Sequence, residues 1–279
     1  LRQEQSCIKN SLFFFSGIFV GAMAKYIFTP SPLDEGADFH SKAAVEARKK
    51  WDLSNASFNT FSFGERFEES DAERFLLELW NSPSVRSTVE LATRDRTLEA
   101  IPPVEAAAAT SVRWSRVPTT ALRMDLFDPI LAEGIIRPET SRIAGCVPER
   151  VDGVEADDRL RALMVNEDAE DYLVMGGAQR SELLFRVAQL LVIGGSMCQK
   201  EDDWSVYAPR VKGLYKDLLT VHKASSAGGI HVASAVFAVS AIEGLALFPE
   251  DSPHSHCIVS VDPLRRRVHI LYSAFVNYW

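Results

Sequence analysis

Cysteine is scarce in this chain, with four residues in 279, and no two of them form a C-x-x-C pair. This excludes a disulfide scaffold and favours reduced thiols, although spacing alone does not exclude a single bridge. An excess of basic residues is also absent, because 30 Lys and Arg stand against 38 Asp and Glu, a net charge of −8. The acidic balance argues against a general nucleic-acid binder or a binder of anionic membranes, since both need a basic face.

Familiar catalytic motifs are missing as well. The chain has no phosphate-binding loop, no G-x-G-x-x-G, no G-x-S-x-G and no H-E-x-x-H. We therefore predict that the protein is not an enzyme and needs no cofactor. The densest group of metal-ligand types is Asp251, His254, His256 and Cys257, and the two histidines would share one face of a strand. A metal-dependent enzyme that uses Asp251, His254 and His256 is the alternative function, while a polar loop leading into a strand is the interpretation we favour.

Two features predict helices in the middle of the chain. Apolar residues recur at i, i+1, i+4, i+7 and i+8 from Leu183 to Leu191, which indicates a buried helix. Gly194 and Gly195 follow it, where a left-handed C-cap favours residues without a Cβ. Asp157 and Asp158 are the candidate caps of a preceding helix.

Alternation predicts strands. The C-terminal third contains the runs Ile230–Ile242, His256–Val261 and Arg267–Phe275, and Asp262-Pro263 fits a type I turn between the last two. Two consecutive hairpins follow from this spacing. Because the helices precede these strands as a block, we predict an α+β fold in which a C-terminal antiparallel sheet of hairpins packs with several amphipathic helices.

Four segments that precede these helices are predicted to be two strands and two loops. Val112–Val117 and Leu122–Phe127 alternate as strands do. Arg86–Glu105 is polar and then rich in alanine and proline, and Arg137–Glu155 contains prolines, glycines and many charges. We expect both of the latter to be loops.

One set of motifs is distinctive enough to suggest a family. G-G-S-M-C-Q-K-E-D at 194–202 is followed by Tyr207 and then by Y-K-D-L at 215–218. S-A-V-F-A-V-S-A at 234–241 and V-S-V-D-P-L-R-R-R-V-H-I-L-Y at 259–272 complete the set. In order and spacing these segments resemble the cilia- and flagella-associated protein 300 family. The likeness is most specific over residues 155–279 and continues, more weakly, back to about residue 25.

The resemblance implies a function without catalysis. Members of this family are needed to build inner and outer dynein arms onto the axoneme, and they occur in the cytoplasm and in cilia or flagella. The resemblance therefore implies a non-enzymatic adaptor for assembly or intraflagellar transport of dynein arms. The implied partners are dynein preassembly factors, the intraflagellar transport machinery, or both. No catalytic residue or cofactor is implied.

The N-terminus departs from that resemblance. Leu12–Ala24 is an uncharged apolar run of about 13 residues, shorter than the roughly 20 that a membrane-spanning helix needs, so we do not expect a membrane span. Its length suits the core of a signal peptide, with Arg2 and Lys9 upstream. Because the family-like region begins near Lys25, we predict that residues 1–24 are an extra leader or a gene-model extension. Residues 25–279 are then a single domain.

Some family-like polar residues are explained neither by helix capping nor by packing. We predict that they form either a buried polar network or part of a partner surface, since buried polar groups must be paired in both cases. Two arginines on the predicted turn form either a solvated tip or a contact to an acidic partner such as a tubulin tail. These candidate residues are Gln199, Glu201, Asp202, Lys216 and Asp217, with Arg265 and Arg266 on the turn.

Overall fold

The computed structural model describes residues 24–223 and 230–278, so the predicted leader lies outside the described residues except for Ala24. The described part contains eight α-helices, and the longest of them has 15 residues. They are α1 Lys42–Lys50, α2 Ala72–Asn81, α3 Pro83–Arg86, α4 Asp128–Ala132, α5 Arg159–Val165, α6 Gly177–Ser181, α7 Leu183–Ile193 and α8 Trp204–Leu218. Within these ranges, no helix has both the length and the apolar character needed to cross a membrane.

Twelve strands accompany these helices in the described residues. They are β1 Phe28–Pro30, β2 Ser57–Phe63, β3 Glu90–Ala92, β4 Leu98–Ala100, β5 Ser111–Arg116, β6 Gly145–Val151, β7 Val154–Asp158, β8 Val221–Lys223, β9 Ile230–Val232, β10 Ala235–Glu243, β11 His256–Asp262 and β12 Arg267–Ser273. Six form one antiparallel sheet in the order β1-β2-β12-β11-β10-β5. The others form the two-stranded ribbons β3-β4, β6-β7 and β8-β9. The α+β prediction is confirmed.

The predicted hairpin of β11 and β12 forms the middle of the sheet. Val259 pairs with Ile270, and β12 continues the pairing to β2. All seven residues of β11 are buried, so the sheet is covered on both faces. Ile258 belongs to one apolar core and its neighbour Val259 to the other, as the alternation of strand side chains requires.

Helices cover the two faces of the sheet. On one face, α5, α7 and α8 pack with strand residues such as Ile258 and Leu271. On the other, α2 packs its stripe of Phe75, Leu76 and Leu79 against β2, β11 and β12. Of the two predicted cap residues, Asp158 is the N-cap of α5, because its carboxylate accepts the backbone N–H of Arg161 at 2.8 Å.

The strand predicted over Leu122–Phe127 was wrong. Met124–Phe127 is a 3₁₀ turn that leads directly into α4, with the Leu126 N–H donating to the Arg123 carbonyl. Phe127 and Ile130 pack into the helix-side core. Short alternation therefore does not distinguish a strand from a helical turn that buries every third residue.

The run predicted over Ile230–Ile242 forms two strands in the structure, β9 and β10. β9 pairs with β8, and β10 begins only at Ala235, because the Ala233 N–H donates to the Thr220 carbonyl and breaks the run. The two predicted loops contain strands as well. β3 and β4 lie within Arg86–Glu105, and β6 lies within Arg137–Glu155.

Candidate functional site

The candidate polar residues lie in two places, one at each end of α8. Gln199, Glu201 and Asp202 precede α8, in the loop that follows α7. Lys216 and Asp217 end α8, and Arg265 lies beside them on the turn between β11 and β12. We call the first group and its partners the Glu201 network and the second the Lys216 pocket.

The carboxylate of Glu201 is the centre of the first group. Its Oε1 accepts a hydrogen bond from the indole Nε1 of Trp51 at 3.3 Å and forms an ion pair with Lys50 Nζ at 2.7 Å. The backbone N–H of Glu201 donates to the hydroxyl of Tyr207 at 3.0 Å. One residue of the loop is thus joined both to the end of α1 and to α8.

A buried arginine lies beneath this network. Arg161 is 1% exposed, forms an ion pair with Asp158, and donates from Nη2 to the Tyr207 hydroxyl at 2.6 Å. Tyr207 is fully buried, and burial raises its pKa to about 12, so it remains protonated at neutral pH. The Tyr207 hydroxyl therefore connects α5, α8 and the loop.

The paired glycines bring the same loop against α1. Gly194 has φ +66° and is the C-cap of α7, as predicted. Gly195 donates its N–H to the Trp51 carbonyl at 2.9 Å, and a Cβ at this position would lie 2.2 Å from the carbonyl oxygen of Asp52. Gly195 thus permits a close backbone approach, which is a role that capping did not predict.

The remaining candidate residues of the loop, Gln199 and Asp202, are both exposed. Gln199 is exposed, and its N–H donates to the Lys50 carbonyl at 2.9 Å. Asp202 is exposed and forms an ion pair with Arg142. Cys198 immediately precedes Gln199 and is half-buried, and burial raises the pKa of its thiol to about 11. Cys198 is therefore a neutral thiol at pH 7, whereas cysteine chemistry requires the thiolate.

The Lys216 pocket joins α8 to the segment between β1 and α1, residues 33–39. The Asp217 carboxylate accepts the backbone N–H groups of Asp38 at 3.1 Å and Phe39 at 2.7 Å, and burial raises its pKa. Lys216 and Arg265 line the same depression of about 200 Å³. The structure thus brings together three candidate residues from segments that are far apart in the sequence.

A turn joins β11 and β12 where the sequence predicts one. Asp262 is buried, and its Oδ1 accepts the N–H groups of Leu264 and Arg265, both at 2.9 Å. Arg265 also pairs with Asp34 at 3.4 Å. Arg266 is exposed, with φ +53°, and donates to the Gly64 carbonyl at 2.6 Å.

The residues of the alternative metal site do not converge. His256 begins β11, whereas His254 lies in the preceding turn and packs its ring against Phe275, 5.2 Å between centroids. Asp251 is exposed. Among the described residues, no three His, Cys, Asp or Glu side chains are arranged to hold a metal ion. Burial lowers the pKa of His256 to about 3, which fits a neutral core imidazole.

Sequence reasoning missed the partners of the network. Lys50 is the last residue of α1, Trp51 and Asp52 follow it, and none of the three is among the candidate residues. Arg161 lies among apolar residues of α5. The one local signal was an arginine three residues after its N-cap Asp158, at a spacing that allows an ion pair on one helix face.

Comparisons with known proteins identify the family. The family model for cilia- and flagella-associated protein 300 matches residues 25–273. A relative of that name from Paramecium tetraurelia is 28% identical over 88% of this chain and 92% of its own length. Another from Chlamydomonas reinhardtii is 29% identical over 90% of this chain and 99% of its own length. No solved structure shows significant similarity to the chain. The predicted resemblance is confirmed, and the chain belongs to the cilia- and flagella-associated protein 300 family.

Proposed function

We propose that this protein is a non-enzymatic adaptor for cilium or flagellum motility, needed to assemble or transport the outer and inner axonemal dynein arms. Its partners are dynein preassembly factors, the intraflagellar transport machinery, or both. It acts in the cytoplasm and in the cilium or flagellum, and its function requires no nucleic acid, membrane or cofactor.

The observation that carries this proposal is the extent of the family match. It runs from residue 25 to residue 273, and the two relatives are covered over 92% and 99% of their lengths. Similarity over whole chains supports a shared role more strongly than one shared motif would, because a fold alone does not specify function.

The chemistry of the family-like loop supports binding more than catalysis. Beneath the loop, the buried Arg161 guanidinium donates to the Tyr207 hydroxyl, and the thiol of the loop residue Cys198 is held neutral by burial. Catalytic groups are commonly tuned to titrate near the working pH and lie within reach of a substrate. The Tyr207 hydroxyl instead joins α5 to the loop, since it accepts hydrogen bonds from Arg161 and from the backbone of Glu201.

Deletion of the gene in a ciliated or flagellated cell that carries it tests the proposal. We expect immotile or weakly motile cells whose axonemes lack dynein arms in cross-section, and we expect the intact gene to restore the arms. Normal arms in the deleted strain would contradict the proposal. Elemental analysis of the purified protein adds a check, because a stoichiometric metal bound through Asp251, His254 or His256 would count against a non-enzymatic adaptor.

A further inference from the structure

A large groove lies beside the Lys216 pocket, on the outer side of α8. Its volume is about 1050 Å³, somewhat above the roughly 300–1,000 Å³ of typical small-molecule pockets, and it lies open to solvent along one side. Its floor is formed by large apolar side chains, two of which are well exposed: Leu122 at 40% and Val221 at 53%. The apolar lining is Leu122, Met124, Leu184, Tyr215, Leu219 and Val221.

The wall of the groove is held in place by hydrogen bonds. The Glu182 carboxylate accepts the backbone N–H groups of Thr120 at 3.0 Å and Ala121 at 3.2 Å. The hydroxyl of Tyr215 donates to the Ala121 carbonyl at 2.6 Å. A wall fixed in this way loses little conformational freedom when a ligand binds, so less of the contact energy is spent on ordering it.

The rim of the groove is basic, although the chain as a whole is acidic. Arg123, Lys212 and Lys216 line it, and Asp125 is the one carboxylate among the described lining residues. Asp125 already pairs with Arg123 at 3.0 Å. Lys212 and Lys216 are one turn apart on the same face of α8, and within residues 24–223 and 230–278 neither pairs with a carboxylate.

The geometry points to a docking site for an acidic amphipathic helix of a protein partner, with its apolar stripe on the floor of the groove and its carboxylates against Lys212 and Lys216. Charge complementarity selects this occupant, because a basic segment would face three cations, and an apolar one would leave the lysines without partners. A helix suits an apolar groove, since it presents anchors at i, i+3, i+4 and i+7. This inference rests on the proposed adaptor function and names the chemistry of its partner.

Two synthetic peptides provide the direct test with the full chain. One is a fluorescein-labelled helix of roughly 18 residues with a leucine stripe flanked by glutamates, and the other carries lysines in place of the glutamates. We expect fluorescence anisotropy to show at least about tenfold tighter binding of the acidic peptide, weakening as salt rises. Hydrogen exchange should show protection of residues 120–126 when the acidic peptide is bound.

Charge-reversed variants locate the site. Lys212→Glu with Lys216→Glu should weaken binding of the acidic peptide by about tenfold or more. Lys42→Glu with Lys49→Glu changes the net charge equally on the exposed face of α1 and should leave binding nearly unchanged. Leu122→Asn should also weaken binding. Equal binding of both peptides, or equal effects of the two double variants, would overturn the docking site.

Two further outcomes separate this inference from its alternatives. If light scattering shows a dimer that the Lys212→Glu and Lys216→Glu variant dissociates, the occupant is a second copy of this chain and the inference fails. In cells lacking the gene, that variant should fail to restore dynein arms. Full restoration would reject the groove while leaving the adaptor function standing, whereas normal arms in the deleted cells would reject the adaptor function itself.

Discussion

The hydroxyl oxygen of Tyr207 lies 2.6 Å from Nη2 of Arg161, a residue 46 positions earlier in the chain. The same oxygen accepts the backbone N–H of Glu201 at 3.0 Å. The Arg161 donor is held away from water and the Glu201 donor is partly buried, and this hydroxyl is the acceptor that both of them use. The loop from 194 to 202 is therefore positioned from within the core, and its outward-facing residues are presented on a fixed backbone.

Replacing Tyr207 with Phe tests this arrangement. Tyr207→Phe keeps the ring but leaves the Arg161 and Glu201 donors without their acceptor, and we expect the free energy of unfolding to fall by about 1–3 kcal/mol. Chemical denaturation followed by circular dichroism measures the change. Tyr172→Phe is the matched control, because its hydroxyl makes one long contact of 3.4 Å with an exposed Glu167. Equal losses in the two variants would show that the Tyr207 hydroxyl has no special role.

The close approach at Gly195 leads to a second prediction. Gly195→Ala would place a Cβ 2.2 Å from the Asp52 carbonyl oxygen, so the loop must move away from α1. We expect a loss of about 1–3 kcal/mol in unfolding free energy, as for other overpacked sites. Gly177→Ala, in α6 with no atom within 4 Å of the new Cβ, should be neutral or stabilising by up to about 1 kcal/mol. Two variants of equal stability would contradict this account of Gly195.

Local features of the fold were predictable from the sequence. The stripe of α7, its cap at Gly194 and the turn at Asp262 each depend on residues within a few positions of one another. The partners within the Glu201 network were not predictable, because Trp51 lies 150 positions from Glu201 and Arg161, which binds Tyr207, is an arginine among apolar residues. A single sequence carries no signal for such pairs, since they meet only through the packing of α1, α5 and α8.

The candidate site shows the same division. The sequence identified Glu201, Lys216 and Asp217 as polar residues that packing does not require, but left open whether they form a network or a surface. Glu201 contacts the end of α1, and Asp217 contacts residues 38–39. Lys216 is instead exposed, and it lines two depressions of the surface. Whether Lys216 is exposed depends on which side of α8 packs against the rest of the fold. Helical periodicity near the C-terminal end of α8 did not determine that side.

Charge reversal should separate these two roles. Glu201→Lys places a cation against Lys50 and leaves the Trp51 indole N–H unpaired, so we expect unfolding free energy to fall by about 1–3 kcal/mol. Lys216→Glu changes an exposed side chain and should alter stability by less than about 0.5 kcal/mol. Thermal and urea unfolding of both variants test this. A large loss at Lys216 with none at Glu201 would reverse the assignment.

The buried histidines predict an acid-sensitive fold. Burial lowers the pKa of His256 to about 3, below its ordinary value of about 6.5, so only the unfolded chain gains a proton at this residue between those values. Because the unfolded state then binds more protons, stability falls as the pH falls through this window, by up to about 1.4 kcal/mol per pH unit. Burial lowers the pKa of His269 to about 4, which adds to the same effect.

Replacement of His256 isolates its share of this dependence. His256→Leu removes one titrating group. Between about pH 6.5 and pH 4.5, the unfolding free energy of the parent protein should therefore fall by up to about 2–3 kcal/mol more than that of the variant. Urea unfolding at several pH values measures both slopes, and the contributions of carboxylates and of His269 cancel in the difference. Parallel curves for the two proteins would mean that the folded state accepts a proton at His256 as readily as the unfolded chain does, which is incompatible with a neutral imidazole sealed at the start of β11.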